Sequence, residues 1–103
     1  MLIGVLKITL LLRNSHSLKD KRRIIKSLME KMKQIFNISV SEVEHRDMWQ
    51  KVTLGVSFIG RNSSYISTVN NSIMEFIDTC RECEVINDNR ETIAINDFVG
   101  EMS

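Results

Sequence analysis

The sequence contains no proline and only four glycines among its 103 residues. It has no internal repeat, linker or low-complexity stretch, and this length accommodates one domain, 1–103, with no room for a second. No segment reaches the roughly 18 consecutive apolar residues that cross a membrane. The apolar start is interrupted by Lys7 and lacks the small-residue cleavage site of a signal peptide. We therefore expect a single cytoplasmic domain that makes no membrane contact.

Residue patterns that carry catalysis are also missing. There is no glycine-rich phosphate loop, no paired acidic motif for Mg²⁺ and no nucleophile elbow. His16 lies between two serines, but adjacency in sequence does not make a catalytic arrangement, which is a matter of spatial geometry. We expect a protein that is not an enzyme, with no cofactor, no metal and no small-molecule substrate.

The two cysteines, Cys80 and Cys83, are too few for a disulfide framework and form a C-x-x-C pattern. Redox versions of this pattern occupy a helix N-terminus, where the dipole lowers the pKa of a thiol, whereas this pair ends a predicted helix. Zinc would need two more ligands, and His16 and His45 lack ligand spacing. Because Cys80 lies on an apolar stripe, core packing is the favoured interpretation, and any redox role is left open.

The spacing of apolar residues predicts an element order of β-α-β-β-α-β. Period-two alternation is typical of strands and a three-to-four-residue spacing of amphipathic helices. The predicted elements are strand 1–12, helix 18–34, strand 38–44, strand 49–59, helix 64–82 and a last strand within 84–96. Both helices are apolar on one side only, which predicts two helices over one sheet face.

Local signals mark the ends of these elements. Ser17 is a predicted N-cap for the first helix, with Asp20 as a weak capping box, and Asn37 is its predicted stop. Residues 45–48 are the expected turn between the second and third strands. The run 87–89 is a potential interruption of the last strand, whose best core candidates are Ile93 and Ile95.

This order is typical of an α+β, ferredoxin-like βαββαβ sandwich with a four-stranded antiparallel sheet and two helices on one face. In the first helix, the predicted apolar stripe consists of Leu18, Ile25, Met29, Met32 and Phe36, and it is widened by Ile24, Leu28 and Ile35. The other sheet face is left open unless a partner covers it. The residues expected on that open face are Ile3, Val5, Leu11 and Thr53.

The strongest anomaly is a cluster of basic residues in the first turn and a half of the first helix, offset only by Asp20. The helix dipole makes basic residues there cost a few tenths of a kcal/mol each. One interpretation is an anion site, and the other is a solvated face whose cations pair with Glu30, Glu42 or Glu44. The candidate anion-binding or RNA-binding residues are Lys19, Arg22, Arg23 and Lys26, with Arg13 and His16 nearby.

Lys21 is a separate anomaly, because its helical angle places it with the apolar residues. Glu42 is the matching anomaly, since strict alternation turns it inward on the second strand. A Lys21–Glu42 pair at the rim of the core is one interpretation. A Lys21 stem that lies along the core and holds its ammonium in water is the favoured one.

The RNA-recognition version of this fold stacks bases on aromatic residues of its central strands. The first strand here has no aromatic residue, and the third offers only Trp49 at its start. Base stacking on the sheet is therefore not expected, and phosphate contact from the first helix is the better nucleic-acid hypothesis.

Three segments together resemble the YlxP-like family of short uncharacterised bacterial proteins. They are residues 17–23 (SLKDKRR), 36–43 (FNISVSEV) and 49–51 (WQK), and the resemblance covers about residues 1–96. It implies a ferredoxin-like fold, a bacterial cytosol and, from neighbouring genes, a role near RNA or the ribosome. It implies no activity and no catalytic residues. The motif positions matched are Ser17, Lys19, Asp20, Lys21, Arg22, Arg23, Glu42 and Trp49.

Two functional hypotheses follow. The first is a non-enzymatic binding module that contacts RNA phosphate or the ribosome through the basic helix. The alternative is a homo-oligomeric interaction module, by default a two-fold dimer, built on the open sheet face. The sequence does not name a target RNA, a protein partner or a physiological process.

Overall fold

A computed structural model of the chain describes residues 1–95. It confirms the predicted order of elements and the sheet order β2-β3-β1-β4, in which all neighbouring strands are antiparallel. Asn96, the last position allowed for the final strand, lies outside the described residues. The elements are β1 (Leu2–Leu11), α1 (Leu18–Ile35), β2 (Ser39–Glu44), β3 (Lys51–Gly60), α2 (Ser63–Asp78) and β4 (Glu84–Ala94).

The core lies between the two helices and one face of the central strands. Alternate residues of β1 and β3 point to the helices, as the period-two pattern predicts. The buried strand residues are Leu6, Ile8, Leu10, Val52, Leu54, Val56 and Phe58, joined by Leu12 just beyond β1. The alternation predicted for β1 and β3 is confirmed.

Gly4 pairs with Phe58 across β1 and β3 and leaves room for the aromatic ring. A Cβ at Gly4 would lie 2.6 Å from Cζ of Phe58, which is itself buried. We therefore expect Gly4→Ala to lower the free energy of unfolding by about 1–3 kcal/mol, the usual cost of overpacking. Gly55→Ala is the matched control, since its Cβ would meet a methyl of Val43, an exposed side chain that can move, at 3.1 Å. Equal losses in urea denaturation of the two variants would contradict this account.

The start of α1 follows the predicted cap. The Oγ of Ser17 accepts a hydrogen bond from the backbone N–H of Asp20 at 3.0 Å. The carboxylate of Asp20 accepts in return from the N–H of His16, at 3.2 Å, one residue earlier than a standard capping box. At the other end the C-cap is Phe36, not Asn37, and its N–H bonds to the carbonyl of Met32.

The buried side of α1 is formed by Lys21, Ile24, Ile25, Leu28 and Met32. The prediction that Ile35 belongs to this side is wrong. Ile35 is exposed because it is the last residue of the helix. Leu18 and Met29 of the predicted stripe are only half-buried.

A bulge in β2 places Glu42 and Glu44 on opposite faces of the sheet. Glu42 pairs with Leu54 and Glu44 with Thr53, so Val43 is the extra residue. Cross-strand partners share a sheet face, which places Glu42 on the helix side and Glu44 on the open side. The inward position predicted for Glu42 is confirmed.

The edge strand β4 departs from the sequence prediction. It runs without a break through 87–89, and its irregularity lies at Ile86, because Leu10 pairs with Val85 and Thr9 with Asn87. The prediction that Ile93 and Ile95 are core residues is wrong, since both are exposed. Ile93 pairs with Ile3 and therefore lies on the open face, opposite the helices.

Two further differences concern the β2–β3 hairpin and α2. β3 begins at Lys51, so Trp49 lies in the hairpin loop and is exposed, not at the start of a strand. The helix α2 ends at Asp78, earlier than predicted, and Asn62 caps its start by accepting from the N–H of Tyr65. Asn70, a polar residue that the pattern did not mark as inward, is buried on α2.

Candidate functional site

The side chain of Lys21 is only 2% exposed, and its ammonium lies against the β2–β3 hairpin. Its Nζ donates to the carbonyl oxygens of His45 at 2.5 Å and Met48 at 2.6 Å, with the carbonyl of Arg46 at 3.4 Å. The Oε2 of Glu42 lies 3.3 Å away. The favoured prediction of a solvated ammonium is wrong, because three carbonyls and a carboxylate replace water around it.

The hairpin loop is shaped to receive this ammonium. His45 has a left-handed backbone, with φ of 63°, and its carbonyl also accepts the N–H of Met48. The carbonyls of a single tight turn thereby converge on one donor from another element. Lys21 thereby joins α1 to the β2–β3 hairpin, which is a structural role.

A groove of about 630 Å³ opens beside this contact, between α1, β2 and the hairpin. Its apolar lining comes from Leu18, Ile25 and Met29 of α1. Three exposed cations, Arg22, Lys26 and Arg46, surround the opening together with one exposed carboxylate, that of Asp47. The groove thus combines an apolar surface with a positively charged mouth.

Charge is distributed very unevenly between α1 and the rest of the chain. Seven of the fourteen basic residues lie in α1, against two of the thirteen acidic ones, so the helix has a formal charge of +5 and the remainder −4. The nearly neutral net charge therefore conceals a strongly positive helix on one side of the domain. Such an uneven distribution attracts anions to the helix face.

Three of the predicted anion-binding residues share one exposed surface. Lys19, Arg22 and Lys26 follow a spacing of three and four residues, which places them on one side of the helix. Within residues 1–95, none of the three has a carboxylate within 4.0 Å, so the predicted pairing with Glu30, Glu42 or Glu44 does not involve them. We call Lys19, Arg22 and Lys26 the basic stripe.

The other three predicted anion-binding residues lie outside the basic stripe. Arg13 donates from Nε and Nη2 to Glu84 at the start of β4, and Arg23 lies 3.8 Å from Glu82. His16 is exposed just before the helix. The structure thus divides the six candidates into the stripe, two ion-paired arginines and a loop histidine.

Arg46 is a groove residue that sequence reasoning missed. The sequence places Arg46 in the turn between the second and third strands and gives it no functional role. Only the attachment of the hairpin to α1 brings it beside Arg22 and Lys26. Its Nε lies 3.8 Å from Glu42, which therefore has cations on two sides. A long-range contact such as that of Lys21 leaves no local signal that would have placed Arg46 here.

The centre of the open sheet face is closed by polar side chains. Lys7 of β1 binds Glu44 of β2 at 2.7 Å, and the pair crosses β3 where Gly55 has no side chain. Thr9 and Thr53 are buried on this face, with their hydroxyl oxygens 2.9 Å apart. The expectation that Thr53 is left uncovered is wrong.

The hydrogen bond and charge of Lys7 lower the pKa of the Glu44 carboxyl from its ordinary value of 4.5. Because the pKa of Glu44 is lower in the folded than in the unfolded chain, its ionised carboxylate stabilises the fold. This stabilisation is present above the unfolded-state pKa and is lost as pH falls through the folded-state pKa. We expect Lys7→Met to return the Glu44 pKa toward 4.5, as followed by side-chain NMR titration. The matched control is Lys51→Met on the same face; an equal shift from this change would contradict the assignment of the pair.

One end of the open face is apolar and uncovered. Ile59 and Ile93 lie on either side of Ile3 in neighbouring strands and are 63% and 45% exposed. Met1 and Ile95 extend the same surface and are also exposed. We call these five residues the apolar end.

Residues 1–95 contain no group of three or more His, Cys, Asp or Glu side chains placed to hold a metal ion. No helix in the same range is both long and apolar enough to span a bilayer.

The family model described as a protein of unknown function, DUF503, matches residues 3–90. The chain belongs to the DUF503 family. It is 26% identical over 83 residues to the uncharacterized protein YlxP of Bacillus subtilis (strain 168), covering 81% of this chain and 90% of YlxP. The resemblance to the YlxP-like family is therefore confirmed.

Solved structures similar to this DUF503 chain share its fold. A de novo designed protein with a ferredoxin fold has a TM-score of 0.52 at 13% identity, covering 93% of this chain and 87% of the designed one. A dimeric ferredoxin-like protein from an uncultured marine organism has a TM-score of 0.50 at 11% identity, covering 93% and 99%. These likenesses establish the ferredoxin-like architecture of the chain.

Proposed function

We propose that this DUF503 chain is a non-enzymatic module that binds the phosphates of single-stranded RNA in a bacterial ribonucleoprotein or ribosomal setting of the cytoplasm. The observation that carries the proposal is the basic stripe. Its three cations are exposed, lie on one side of a helix and have no carboxylate partner within residues 1–95. Arginine and lysine in such an arrangement are typical phosphate ligands.

The charge asymmetry supports a polyanion rather than a single phosphate as the ligand. From Lys19 to Lys26 the stripe rises about 10 Å at 1.5 Å per residue. That length exceeds one phosphate group, and each cation would contact a different phosphate. The +5 charge of α1 would also speed encounter with a polyanion.

The groove favours single-stranded RNA over duplex RNA as the ligand. A volume of about 630 Å³ is typical of small-molecule pockets and would accommodate a base next to the apolar side chains of Ile25 and Met29. Its cationic mouth, formed in part by Arg22 and Arg46, would hold the adjoining phosphate. The bases of single-stranded RNA can leave the stack and enter such a groove, whereas the bases of a duplex are paired and stacked.

The open sheet face does not support the base-stacking mode common in RNA-binding ferredoxin-like domains. Trp49 lies in the hairpin loop, and no aromatic residue lies on β1. The centre of the face holds the Lys7–Glu44 pair and two buried threonines. Contact through α1 is therefore the favoured mode.

A direct test is to titrate isotope-labelled protein with a short single-stranded oligouridylate and record backbone amide shifts. We expect the largest shifts in the first half of α1 and in 45–48, and small shifts in β4. A duplex RNA and polyglutamate provide the controls for strandedness and for charge alone. Absent shifts, shifts confined to the sheet face, or equal shifts with polyglutamate would each overturn the proposal.

A second candidate function is homodimer formation through the apolar end, supported by the exposure of Ile59 and Ile93. A dimeric ferredoxin-like protein shares the fold, and a two-fold axis would bury this surface against its own copy. We expect sedimentation at micromolar concentration to show a dimer that Ile59→Lys dissociates, with Ile86→Lys on β4 as the control. A monomer at that concentration would contradict this candidate.

A further inference from the structure

Cys80 and Cys83 face each other across a tight turn after α2. Both are free thiols, both are partly exposed, and their sulfur atoms lie 2.9 Å apart. The backbone N–H of Cys83 donates to the carbonyl of Cys80 at 3.3 Å, which closes the turn. The sequence interpretation of Cys80 as a packing residue holds in part, since both side chains contact the core.

The distance between the Sγ atoms of Cys80 and Cys83 is close to that of a disulfide bond. Disulfide sulfurs lie about 2.05 Å apart, so a further approach of about 0.9 Å would join them. The turn belongs to the loop between α2 and β4, where the backbone moves more readily than inside a helix or a strand.

A cavity of about 300 Å³ gives access to this pair. It lies between α1 and the turn, and Cys80 is among its lining residues. Three cations also line it, Arg23, Lys31 and Arg81, against one carboxylate, that of Glu82. A small molecule that carries carboxylates and reaches Cys80 would find complementary charge there.

We propose that Cys80 and Cys83 are a redox modification site that closes to an intramolecular disulfide by exchange with a small, carboxylate-bearing disulfide. In the first step, the Cys80 thiolate attacks one sulfur of the small disulfide, forms a mixed disulfide and releases one small thiolate. In the second, the Cys83 thiolate attacks the sulfur of Cys80 and releases the other. The two protein thiols are oxidised, and one small disulfide is reduced to two thiols.

The environment of Cys83 determines how fast the second step proceeds. In the reduced pair, burial and then the hydrogen bond with Cys80 raise the pKa of the Cys83 thiol above its ordinary value of 9.0. Burial is the largest of these causes, and it persists once Cys80 is part of the mixed disulfide. The thiolate is the reacting form, so ring closure should be slow at neutral pH and should accelerate as pH rises. The site would respond to sustained oxidising conditions.

Glutathione disulfide is a suitable probe for the full chain, with intact-mass analysis after acid quenching. The ratio of intramolecular to mixed disulfide at equilibrium is the effective concentration of the Cys83 thiol divided by the concentration of reduced glutathione. With an effective concentration of about 1 mM and about 0.1 mM reduced glutathione, we expect roughly tenfold more intramolecular than mixed disulfide. We expect a mass loss of two hydrogens, loss of both alkylatable thiols and an unchanged circular dichroism spectrum. Dithiothreitol should reverse all of these changes.

Single variants make the test decisive. Cys83→Ser should stop at the mixed disulfide and accumulate one glutathione per chain, whereas the native pair should not. Persistent free thiols, a mixed disulfide that never closes, or covalent dimers in the native chain would each overturn the proposal. Cys80→Ser should take up glutathione more slowly than Cys83→Ser, and equal rates would contradict the role of the cavity beside Cys80.

Discussion

Lys21→Met should lower the free energy of unfolding by about 2–4 kcal/mol, since hydrogen bonds to a charged group contribute about 1.5–3 kcal/mol each. The variant keeps the length of the apolar stem and removes only the ammonium. The carbonyls of His45 and Met48 and the carboxylate of Glu42 then lose their common donor. For a domain of this size, such a loss lowers Tm by about 10–25 °C.

The expected loss is smaller than that of a fully buried pair. Removing one partner of such a pair costs about 3–5 kcal/mol, because the other charge is left without water. Glu42 is 23% exposed and has Arg46 beside it, and the hairpin carbonyls can regain water. The hairpin should loosen as it does so, and amide hydrogen exchange in 45–50 should accelerate more than in β1.

Lys26→Met is the matched control for this prediction. It removes the same ammonium from an exposed position on the same helix, and exposed changes of this kind stay within about 0.5 kcal/mol. Urea denaturation of both variants measures the difference. Equal stability of the Lys21 and Lys26 variants would show that the buried ammonium does not hold the hairpin.

The charge reversal Arg22→Glu with Lys26→Glu should weaken binding of single-stranded RNA at least about 25-fold in 0.1 M salt. Each phosphate contact releases about 0.7 counterion from a single strand, so two lost contacts reduce affinity by about 1.4 powers of ten at that concentration. The two new carboxylates add repulsion to this loss. Fluorescence anisotropy of a labelled oligonucleotide measures the change.

The control reverses two cations outside the stripe. Arg61→Glu with Arg90→Glu changes the net charge by the same amount, and both side chains are exposed away from α1. We expect this control to weaken binding only modestly through long-range electrostatics. Equal losses in the two double variants would mean that RNA is attracted by overall charge and has no site on α1.

Sequence reasoning succeeded where structure depends on local patterns. The alternation in β1 and β3 and the cap at Ser17 are properties of neighbouring residues, and both are confirmed. They were sufficient for the element order and hence for the ferredoxin-like fold. The basic stripe was also visible locally, because it lies on a single helix.

The errors concern contacts between distant segments. Lys21 was expected to reach water, since the sequence does not show that a turn 24 residues later presents its carbonyls there. Ile93 was expected in the core because it is apolar, but its register against Ile3 places it on the open face. Glu42 was placed correctly, since the bulge at Val43 comes only after it. The groove escaped prediction because it exists only once α1 and the hairpin are joined.

The salt dependence of RNA affinity tests the central claim, binding through the basic stripe, most directly. The logarithm of the association constant is measured against the logarithm of salt concentration for the native chain, for Arg22→Gln with Lys26→Gln, and for Arg61→Gln with Arg90→Gln. We expect the native slope to be retained by the second pair and to become shallower by about 1.4 in the first, at about 0.7 per lost contact. The same slope in all three proteins, or no measurable association of the native chain at low salt, would contradict the account.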